Sequence, residues 1–278
     1  MTDYTFLNGT LTSSSSAQIS VTDRSYLFGD GLFETILVQN GKPCYLNEHL
    51  NRLRLSTAFF AYDLPSAEEL AGAMQAVIDA NALESGSMRL TVSPRESQGL
   101  LAKTNSPLNI LITIRRGRPY REELYEHGFT VIIAQTTRRN EHSPLSRHKT
   151  TNFADSILAK REAKLCGSDE AILLNAAGRL TEAAVANLFL VINGAVLTPP
   201  VADGVLPGII REKVLGLCSD LNIPAREQTL TPKDLEEAEE AFLTNSLLGV
   251  MPVRKIQNVN FIAKVTRRIA AVLEMKNK

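Results

Sequence analysis

The sequence predicts a two-domain α/β (α+β) fold, with a small N-terminal α/β domain and a larger, strand-rich C-terminal domain. Three observations predict this class. Strand-like and helix-like segments alternate in the first half, a charged stretch interrupts the chain near its middle, and apolar runs separated by turn residues fill much of the second half. The predicted boundaries are residues 1–117 for the first domain, 118–127 for a linker and 128–278 for the second domain.

The N-terminal domain is predicted to combine strands with two helices. Strands are predicted where β-branched and apolar residues cluster, over residues 32–38, 88–93 and 108–114. A helix is predicted over residues 47–61, because its leucines recur at helical spacing. A second helix is predicted to begin at Ser66, which has Glu69 three residues later, the spacing of a capping box.

The C-terminal domain follows the charged, proline-containing stretch over residues 115–128. A single domain in which this stretch is a surface helix and a loop is the alternative. Strands are predicted over residues 129–137, 169–175 and 187–192. Hairpin turns are predicted at residues 176–179 (AAGR) and 193–194 (NG). Helices are predicted over residues 154–166, 209–220 and 261–275.

Composition narrows the class of function. The chain of 278 residues has 30 basic and 30 acidic residues, a balance that favours neither nucleic acid nor an anionic membrane as partner. It has no apolar run of the roughly 20 residues that span a bilayer, and its first residues do not resemble an export signal. Three scattered cysteines suit a cytoplasmic location. The cysteines and histidines lack metal-ligand spacing, so no metal site is predicted.

Lys149, in SPLSRHKTTNF (143–153), is the first candidate catalytic residue. A lysine attacks a carbonyl only as the neutral amine, so its pKa has to be lowered by burial or by nearby positive charge. Arg147 and His148 precede it and could supply that charge. By itself the segment is more typical of a solvated basic turn, because exposed lysines are much commoner than Schiff-base lysines.

Further candidates are an acid, a helix start and a cation. Glu182 precedes an apolar run, where a carboxylate could keep a pyridine nitrogen protonated, although an exposed strand edge is the alternative. Gly208 leads into a helix whose free N–H groups suit a phosphate, although an ordinary helix start has the same residues. Thr244 and Ser246 offer hydroxyl donors, and Arg52 offers a cation. The alternative for Thr244 and Ser246 is an ordinary turn after a buried strand, and the alternative for Arg52 is a solvated helix arginine.

Taken together, these segments resemble the class IV aminotransferases, the fold-type IV group of pyridoxal-phosphate enzymes. The resemblance covers the chain from about Leu7 to Pro252. It is carried by FGDGLFET (28–35), LNEHLNRLRLS (46–56), SRHKTTN (146–152), LTEAAVANLF (180–189), LPGIIRE (206–212) and TNSLLGVMPV (244–253). It implies pyridoxal 5'-phosphate as cofactor, a small-molecule amino substrate, a homodimer, and two α/β domains with the cofactor between them.

The resemblance also implies roles for individual residues. Lys149 would carry the cofactor as a Schiff base and move protons, and Glu182 would pair with the pyridine nitrogen. Leu206 would pack against the cofactor ring. The phosphate would be held by the residues Arg52, Gly208, Ile209, Ile210 and Ser246. Branched-chain relatives have a threonine at the position of Ile210, and isoleucine has no hydroxyl. Only the backbone of Ile210 is therefore expected to contribute.

The resemblance leaves two activities open. Only two residues separate Lys149 from Asn152, which resembles the D-amino-acid aminotransferases and the 4-amino-4-deoxychorismate lyases more than the branched-chain enzymes. FGDGLFET and TNSLLGVMPV resemble the lyases most, so a lyase is expected, with a D-amino-acid or branched-chain transaminase as the alternative. Phe33, Thr35 and Arg95 are the predicted substrate contacts, and Arg115 is a further candidate for a basic group near the substrate carboxylates. The arginine-rich, histidine-containing loop of D-amino-acid enzymes and the glycine-rich loop of lyases are both missing from residues 93–101.

Overall fold

The structure, a computed structural model, describes residues 3–95, 97–102 and 106–276. The chain divides into two units. The first contains the described residues as far as Pro119 together with His148–Phe153, and the second contains Tyr120–Arg147 and the described residues from Ala154 onward. Among the described helices, none combines the length and the apolar character needed to cross a bilayer.

The first unit is an α/β arrangement around one antiparallel sheet. Its elements are β1 (Tyr4–Leu7), β2 (Thr10–Ser13), α1 (Arg24–Phe28), β3 (Leu32–Gln39), β4 (Lys42–Pro43), α2 (Leu46–Phe59), α3 (Ala67–Ala80), β5 (Ser85–Pro94), β6 (Ser97–Gln98), β7 (Leu101–Ala102) and β8 (Leu108–Arg116). The sheet has the strand order β2-β1-β8-β5-β3-β4, and β6 pairs separately with β7.

Helices α2 and α3 supply the apolar side chains that cover one face of this sheet. Ile36 and Val38 of β3 belong to the same buried cluster as Leu53 of α2 and Met74 of α3. Strand residues two apart point to the same face, so Phe33 and Thr35 of β3 lie on the opposite face. That second face carries the substrate contacts predicted from the sequence.

The second unit is richer in strands. Its elements are α4 (Glu122–His127), β9 (Phe129–Ile133), α5 (Ala154–Leu165), β10 (Glu170–Leu174), β11 (Leu180–Ala183), β12 (Asn187–Ile192), β13 (Ala195–Thr198), α6 (Ile209–Asp220), β14 (Ala225–Glu227), α7 (Asp234–Glu237), β15 (Glu240–Asn245), β16 (Gly249–Ile256), β17 (Val259–Asn260) and α8 (Lys264–Lys276), with short 3-10 helices at Pro144–Arg147 and Val201–Asp203.

The sheet of the second unit closes on itself. Its strand order is β11-β10-β9-β16-β15-β12-β13-β14, with β17 beside β16. Strand β12 also pairs with β11, where Glu182 faces Asn187. On its other side β12 pairs with β15, which places Asn187 beside Thr244. The pairing therefore brings three polar residues of the sequence motifs onto neighbouring strands.

The predicted fold class is confirmed by this mixed α/β architecture. The capping box is also confirmed, because Glu69 N donates to Ser66 Oγ and Ser66 N donates to Glu69 Oε2. The turn at Asn193 and Gly194 has positive φ at both residues, as a two-residue hairpin loop requires.

Several predicted boundaries differ from the structure, among them those of the strand predicted over 88–93, which is Ser85–Pro94. Strand β9 ends at Ile133 instead of 137, because the N–H groups of the next turn bind the Glu162 carboxylate instead of a neighbouring strand. Helix α8 begins at Lys264 instead of 261, because Glu240 accepts the first N–H groups of the helix from there. The stretch predicted as linker (118–127) contains α4 (Glu122–His127).

The segment His148–Phe153 groups with the first unit, whereas the sequence assigned it to the second domain. The physical reason is backbone pairing that the local sequence does not reveal. Phe33 N donates to the Lys149 carbonyl at 2.9 Å, and Thr151 N donates to the Gly31 carbonyl at 2.8 Å. Lys149 is therefore attached to the start of β3.

Candidate active site

The candidate residues fall into two groups, one in each unit. The first group surrounds Lys149, whose backbone is fixed on β3 as described. Its Nζ lies 4.4 Å from the centroid of the Phe33 ring and 5.9 Å from that of Phe153, and the two rings meet edge to face. Lys149 is half-buried, and its amine lies beside two aromatic rings.

The Phe33 ring also contacts the guanidinium of Arg89, which the sequence did not suggest. The Arg89 guanidinium carbon lies 3.7 Å from the Phe33 ring centroid, a cation–π distance. Arg89 pairs with Thr35 across β3 and β5. The predicted contacts Phe33 and Thr35 therefore share one face with Arg89.

Arg95, the other predicted substrate contact, has a different environment. Its Nε donates to the Leu108 carbonyl at 2.9 Å, and its backbone N donates to the Pro107 carbonyl. These bonds fix Arg95 to the start of β8. No described contact joins it to the Phe33 ring.

Arg52 lies on α2 as half of a bidentate ion pair. Its Nε donates to Glu34 Oε1 at 2.8 Å, and its Nη2 donates to Glu34 Oε2 at 2.6 Å. The Glu34 side chain is 1% exposed. Burial alone would raise the pKa of Glu34, but the Arg52 charge and the hydrogen bonds from His49 and Arg52 lower it to about 2. The geometry fixes the direction of the Arg52 guanidinium.

His49 completes this buried group. Its Nδ1 lies 2.7 Å from Glu34 Oε2, and its Nε2 has no hydrogen-bond partner among the described residues. Burial lowers the pKa of His49 below its ordinary value, against the raising effect of Glu34, and the charges of Arg52 and Lys149 lower it further. A neutral imidazole with its proton on Nδ1 fits this environment.

The second group centres on Glu182 in β11. Arg139 Nη2 lies 2.6 Å from Oε1 of this carboxylate. Asn187 Nδ2 and the Leu206 N–H both donate to Oε2, each at 3.1 Å. Glu182 is buried and does not form an exposed strand edge. A carboxylate with this many donors is held in one orientation.

Helix α6 begins immediately after Gly208, which serves as its N-cap without a capping side chain. The N–H groups at Ile209 and Ile210 belong to the first turn, whose donors lack intrahelical partners and attract anions. A Cβ at position 208 would lie 1.9 Å from Asn187 Oδ1. Only glycine fits there, because the side chain that holds Glu182 occupies the space.

Two hydroxyls lie at the end of β15. The Thr244 Oγ1 is buried and has no hydrogen-bond partner among the described residues. An unsatisfied buried hydroxyl costs free energy, so it points to a missing acceptor or donor. Ser246 follows in the turn, where Asn245 Oδ1 accepts the N–H groups of Leu247 and Leu248. The turn holds Ser246 at the strand end.

Sequence reasoning missed several residues of these groups. Glu34 lies between Phe33 and Thr35 on the buried face of β3, and a charged residue at an apolar position was the available signal. His49 lies one turn before Arg52 on α2, so both could have been expected to reach one partner. Arg89 and Arg139 had no distinguishing local pattern, because their partners are distant in sequence.

Comparison with known proteins gives the family. The amino-transferase class IV family matches residues 31–256. This chain belongs to that family, as its motifs predicted. Pyridoxal phosphate is its cofactor, and the protein is an enzyme of the aminotransferase or lyase type acting on a small amino substrate.

Similar proteins carry three different names. A protein of Methanocaldococcus jannaschii with the provisional name branched-chain-amino-acid aminotransferase is 32% identical over 95% of this chain and 93% of its own. D-alanine aminotransferase of Staphylococcus aureus strain N315 is 29% identical over 95% and 94%. The crystal structure of 4-amino-4-deoxychorismate lyase from Pseudomonas aeruginosa has a TM-score of 0.89 and 27% identity, covering 98% of each chain.

The residues of the two groups fit the cofactor chemically. The first unit contains an amine beside aromatic rings and a mostly buried, oriented guanidinium. The second contains an oriented carboxylate, a helix start without a capping side chain and a hydroxyl, Thr244 Oγ1, that has no partner in the described part of the chain. An aldehyde, a phosphate and a ring nitrogen require these types of partner.

Proposed function

We propose that this enzyme is a 4-amino-4-deoxychorismate lyase, which converts its substrate into 4-aminobenzoate and pyruvate. The observation that carries the proposal is the Phe33 face of the first unit, where Lys149 Nζ and the Arg89 guanidinium contact one aromatic ring. A flat, unsaturated substrate ring with a carboxylate suits an aromatic surface beside a cation. Similarity to the Pseudomonas aeruginosa lyase supports the same reading.

Arg89 is the proposed carboxylate-binding residue, and Arg115 is the proposed second one. Arg89 pairs with Thr113, and Ser87 pairs with Arg115, so both arginines lie on one face of adjacent strands. Diagonal neighbours in an antiparallel pair are about 7–8 Å apart, within reach of two arginine side chains. The substrate has two carboxylates, and the two cations match that charge. Thr35 and Arg95 remain proposed contacts at this face and at its edge.

Lys149 is the proposed base. Pyridoxal phosphate, when bound, supplies an electron sink for charge that develops at the amine-bearing carbon. Lys149 removes the proton from that carbon, and the bond from the neighbouring ring carbon to the enolpyruvyl oxygen then breaks. The leaving enolate takes up one proton and becomes pyruvate, while the remaining ring becomes aromatic 4-aminobenzoate. No oxidant or water is consumed.

The cofactor contacts are assigned within the same proposal. Glu182 would contact the ring nitrogen, and Leu206 would pack against the ring. The residues Arg52, Gly208, Ile209, Ile210 and Ser246 would hold the phosphate. Two features support this assignment: the buried Thr244 Oγ1, for which the described residues offer no hydrogen-bond partner, and the start of α6 without a capping side chain.

The second candidate function is a transaminase acting on D-amino or branched-chain amino acids, and the names of two relatives favour it. The first proton transfer by Lys149 is the same in both reactions. A transaminase would consume water and release a 2-oxo acid, and it would need a second 2-oxo acid to complete each turnover. The activities therefore differ in their products and in this requirement.

A pyruvate-release assay with 4-amino-4-deoxychorismate separates the candidates. We expect pyruvate and 4-aminobenzoate in equal amounts over many turnovers, without an added 2-oxo acid. In Arg89→Gln we expect KM to rise at least tenfold, because the substrate carboxylate loses a charge-assisted partner. Arg54→Gln, on the exposed side of α2, is the matched control. Stoichiometric conversion of D-alanine or L-leucine to 2-oxo acids, with no pyruvate from aminodeoxychorismate, would establish the transaminase instead.

We further propose that the chain forms a homodimer. An exposed apolar surface in the first unit supports this, formed by Tyr26, which is 76% exposed, together with Leu27, Phe28 and Leu100. Arg24 contacts the Phe28 ring and donates to the Leu100 carbonyl, which brings these two residues close together. Apolar patches of this kind are typical of interfaces. Light scattering should give about twice the 30.5 kDa chain mass, and a monomer would reject the proposal.

A further inference from the structure

Arg139 has four contacts that the activity alone does not require. Its Nη2 lies 2.6 Å from Glu182 Oε1 and also donates to the Ser146 carbonyl at 2.9 Å. Its Nε donates to the Gly204 carbonyl at 3.1 Å, and its backbone N donates to the Leu174 carbonyl. The guanidinium is fixed by backbone atoms on two sides, so the position that it gives to Glu182 is also fixed.

Asn187 holds the other oxygen of the same carboxylate. Its Nδ2 donates to Glu182 Oε2 at 3.1 Å and to the Leu206 carbonyl at 2.9 Å. Its Oδ1 occupies the space next to Gly208, where a Cβ would lie at 1.9 Å. A single side chain therefore joins the carboxylate to the loop that enters α6.

We infer that Arg139 and Asn187 are positioning residues that hold Glu182 at the angle needed to receive the cofactor's ring nitrogen. Asn187 also ties this carboxylate to the phosphate-binding start of α6, so ring and phosphate are recognised at a fixed separation. The inference rests on the proposed role of Glu182.

Three features indicate that the contacts of Glu182 do more than form a stabilising salt bridge. Both Glu182 oxygens are bonded by side chains of different strands or loops, and the Glu182 side chain is 10% exposed. Leu206 N is a second donor to Oε2 and the third to the carboxylate. These three donors prevent the Glu182 carboxylate from rotating. An ion pair that only stabilised the fold would not need a fixed orientation.

The test compares apoenzyme affinity for pyridoxal 5'-phosphate and for its 1-deaza analogue, in which a C–H replaces the ring nitrogen. The quantity compared is the Kd of the 1-deaza analogue divided by the Kd of pyridoxal 5'-phosphate. This ratio separates recognition of the ring nitrogen from phosphate binding and from general stability. In Arg139→Met and Asn187→Ala we expect this ratio to fall about tenfold, the scale of one misaligned charge-assisted hydrogen bond. Arg138→Met is the matched control, because Arg138 donates to the Ala134 carbonyl.

Glu182→Ala separates failure of this inference from failure of the proposed function. A ratio unchanged in Glu182→Ala would reject the contact between Glu182 and the ring nitrogen. A ratio lowered in Glu182→Ala but unchanged in Arg139→Met and Asn187→Ala would overturn only the positioning role. If Arg139→Met does not fold, Arg139→Lys takes its place, because lysine lacks the Nε donor to Gly204. A wild-type ratio in both Arg139→Lys and Asn187→Ala would also overturn the inference.

Discussion

The Arg52 guanidinium and the Glu34 carboxylate form a bidentate pair in the first unit, with N–O distances of 2.8 and 2.6 Å. The sequence motif that contains Arg52 predicted a phosphate-binding cation, and the structure adds the buried acid that orients it. His49 contacts the same carboxylate from the same helix. Whatever Arg52 binds, its direction depends on Glu34.

Substitution of Glu34 should therefore destabilise the fold. Glu34→Gln keeps the shape but removes the charge, which leaves the mostly buried Arg52 guanidinium without its counter-ion. We expect the free energy of unfolding to fall by about 3 kcal/mol, measured by urea denaturation at pH 7. Glu84→Gln, at an exposed position of the same unit, should stay within about 0.5 kcal/mol of wild type. Equal losses in the two variants would contradict the role assigned to Glu34.

The same carboxylate predicts an acid-dependent loss of stability. The pKa of Glu34 falls from an ordinary 4.5 to about 2 in the folded chain. A lowered folded pKa stabilises the protein above the unfolded pKa, and that contribution disappears as the pH falls from about 4.5 towards 2. The contribution is about 3 kcal/mol. Unfolding free energies from pH 6 to pH 2 should converge between wild type and Glu34→Gln, whereas parallel curves would be inconsistent with this pKa.

Substitution by alanine is expected to have different effects at two glycines of α6, one at its N-cap and one inside the helix. Gly208→Ala would place a methyl 1.9 Å from Asn187 Oδ1. We expect apoenzyme affinity for pyridoxal phosphate to fall at least about tenfold, because Asn187 and the helix start must move. Gly216→Ala, inside the helix with open space around it, should leave affinity unchanged and raise stability by about 0.5–1 kcal/mol. Unchanged affinity in Gly208→Ala would show that the loop adapts.

Much of the fold could be predicted because its signals are local. The capping box at Ser66 and Glu69, and the turn at Asn193 and Gly194, depend on a few adjacent residues, and both formed as expected. The apolar periodicity of α2 likewise identified its buried face. Such features depend on backbone geometry and spacing that one segment contains by itself.

The remaining features depend on pairing between distant segments. The short strand β9 pairs in parallel with β10 and β16, and nothing within Phe129–Ile133 specifies either partner. The link between Lys149 and β3 is made through backbone atoms, which leave no signal in the sequence. The sequence therefore predicted the wrong unit for Lys149. Arg139 and Glu182 are far apart in sequence, so their pairing had no local signal.

The central claim is that Lys149 carries the cofactor. Reduction of the cofactor-loaded enzyme with borohydride, followed by proteolysis and mass spectrometry, tests this most directly. We predict a phosphopyridoxyl group on the peptide containing Lys149, and no label in Lys149→Ala, while Lys164→Ala, in which α5 loses an exposed lysine, is labelled like wild type. Label on another lysine, persisting in Lys149→Ala, would contradict the account.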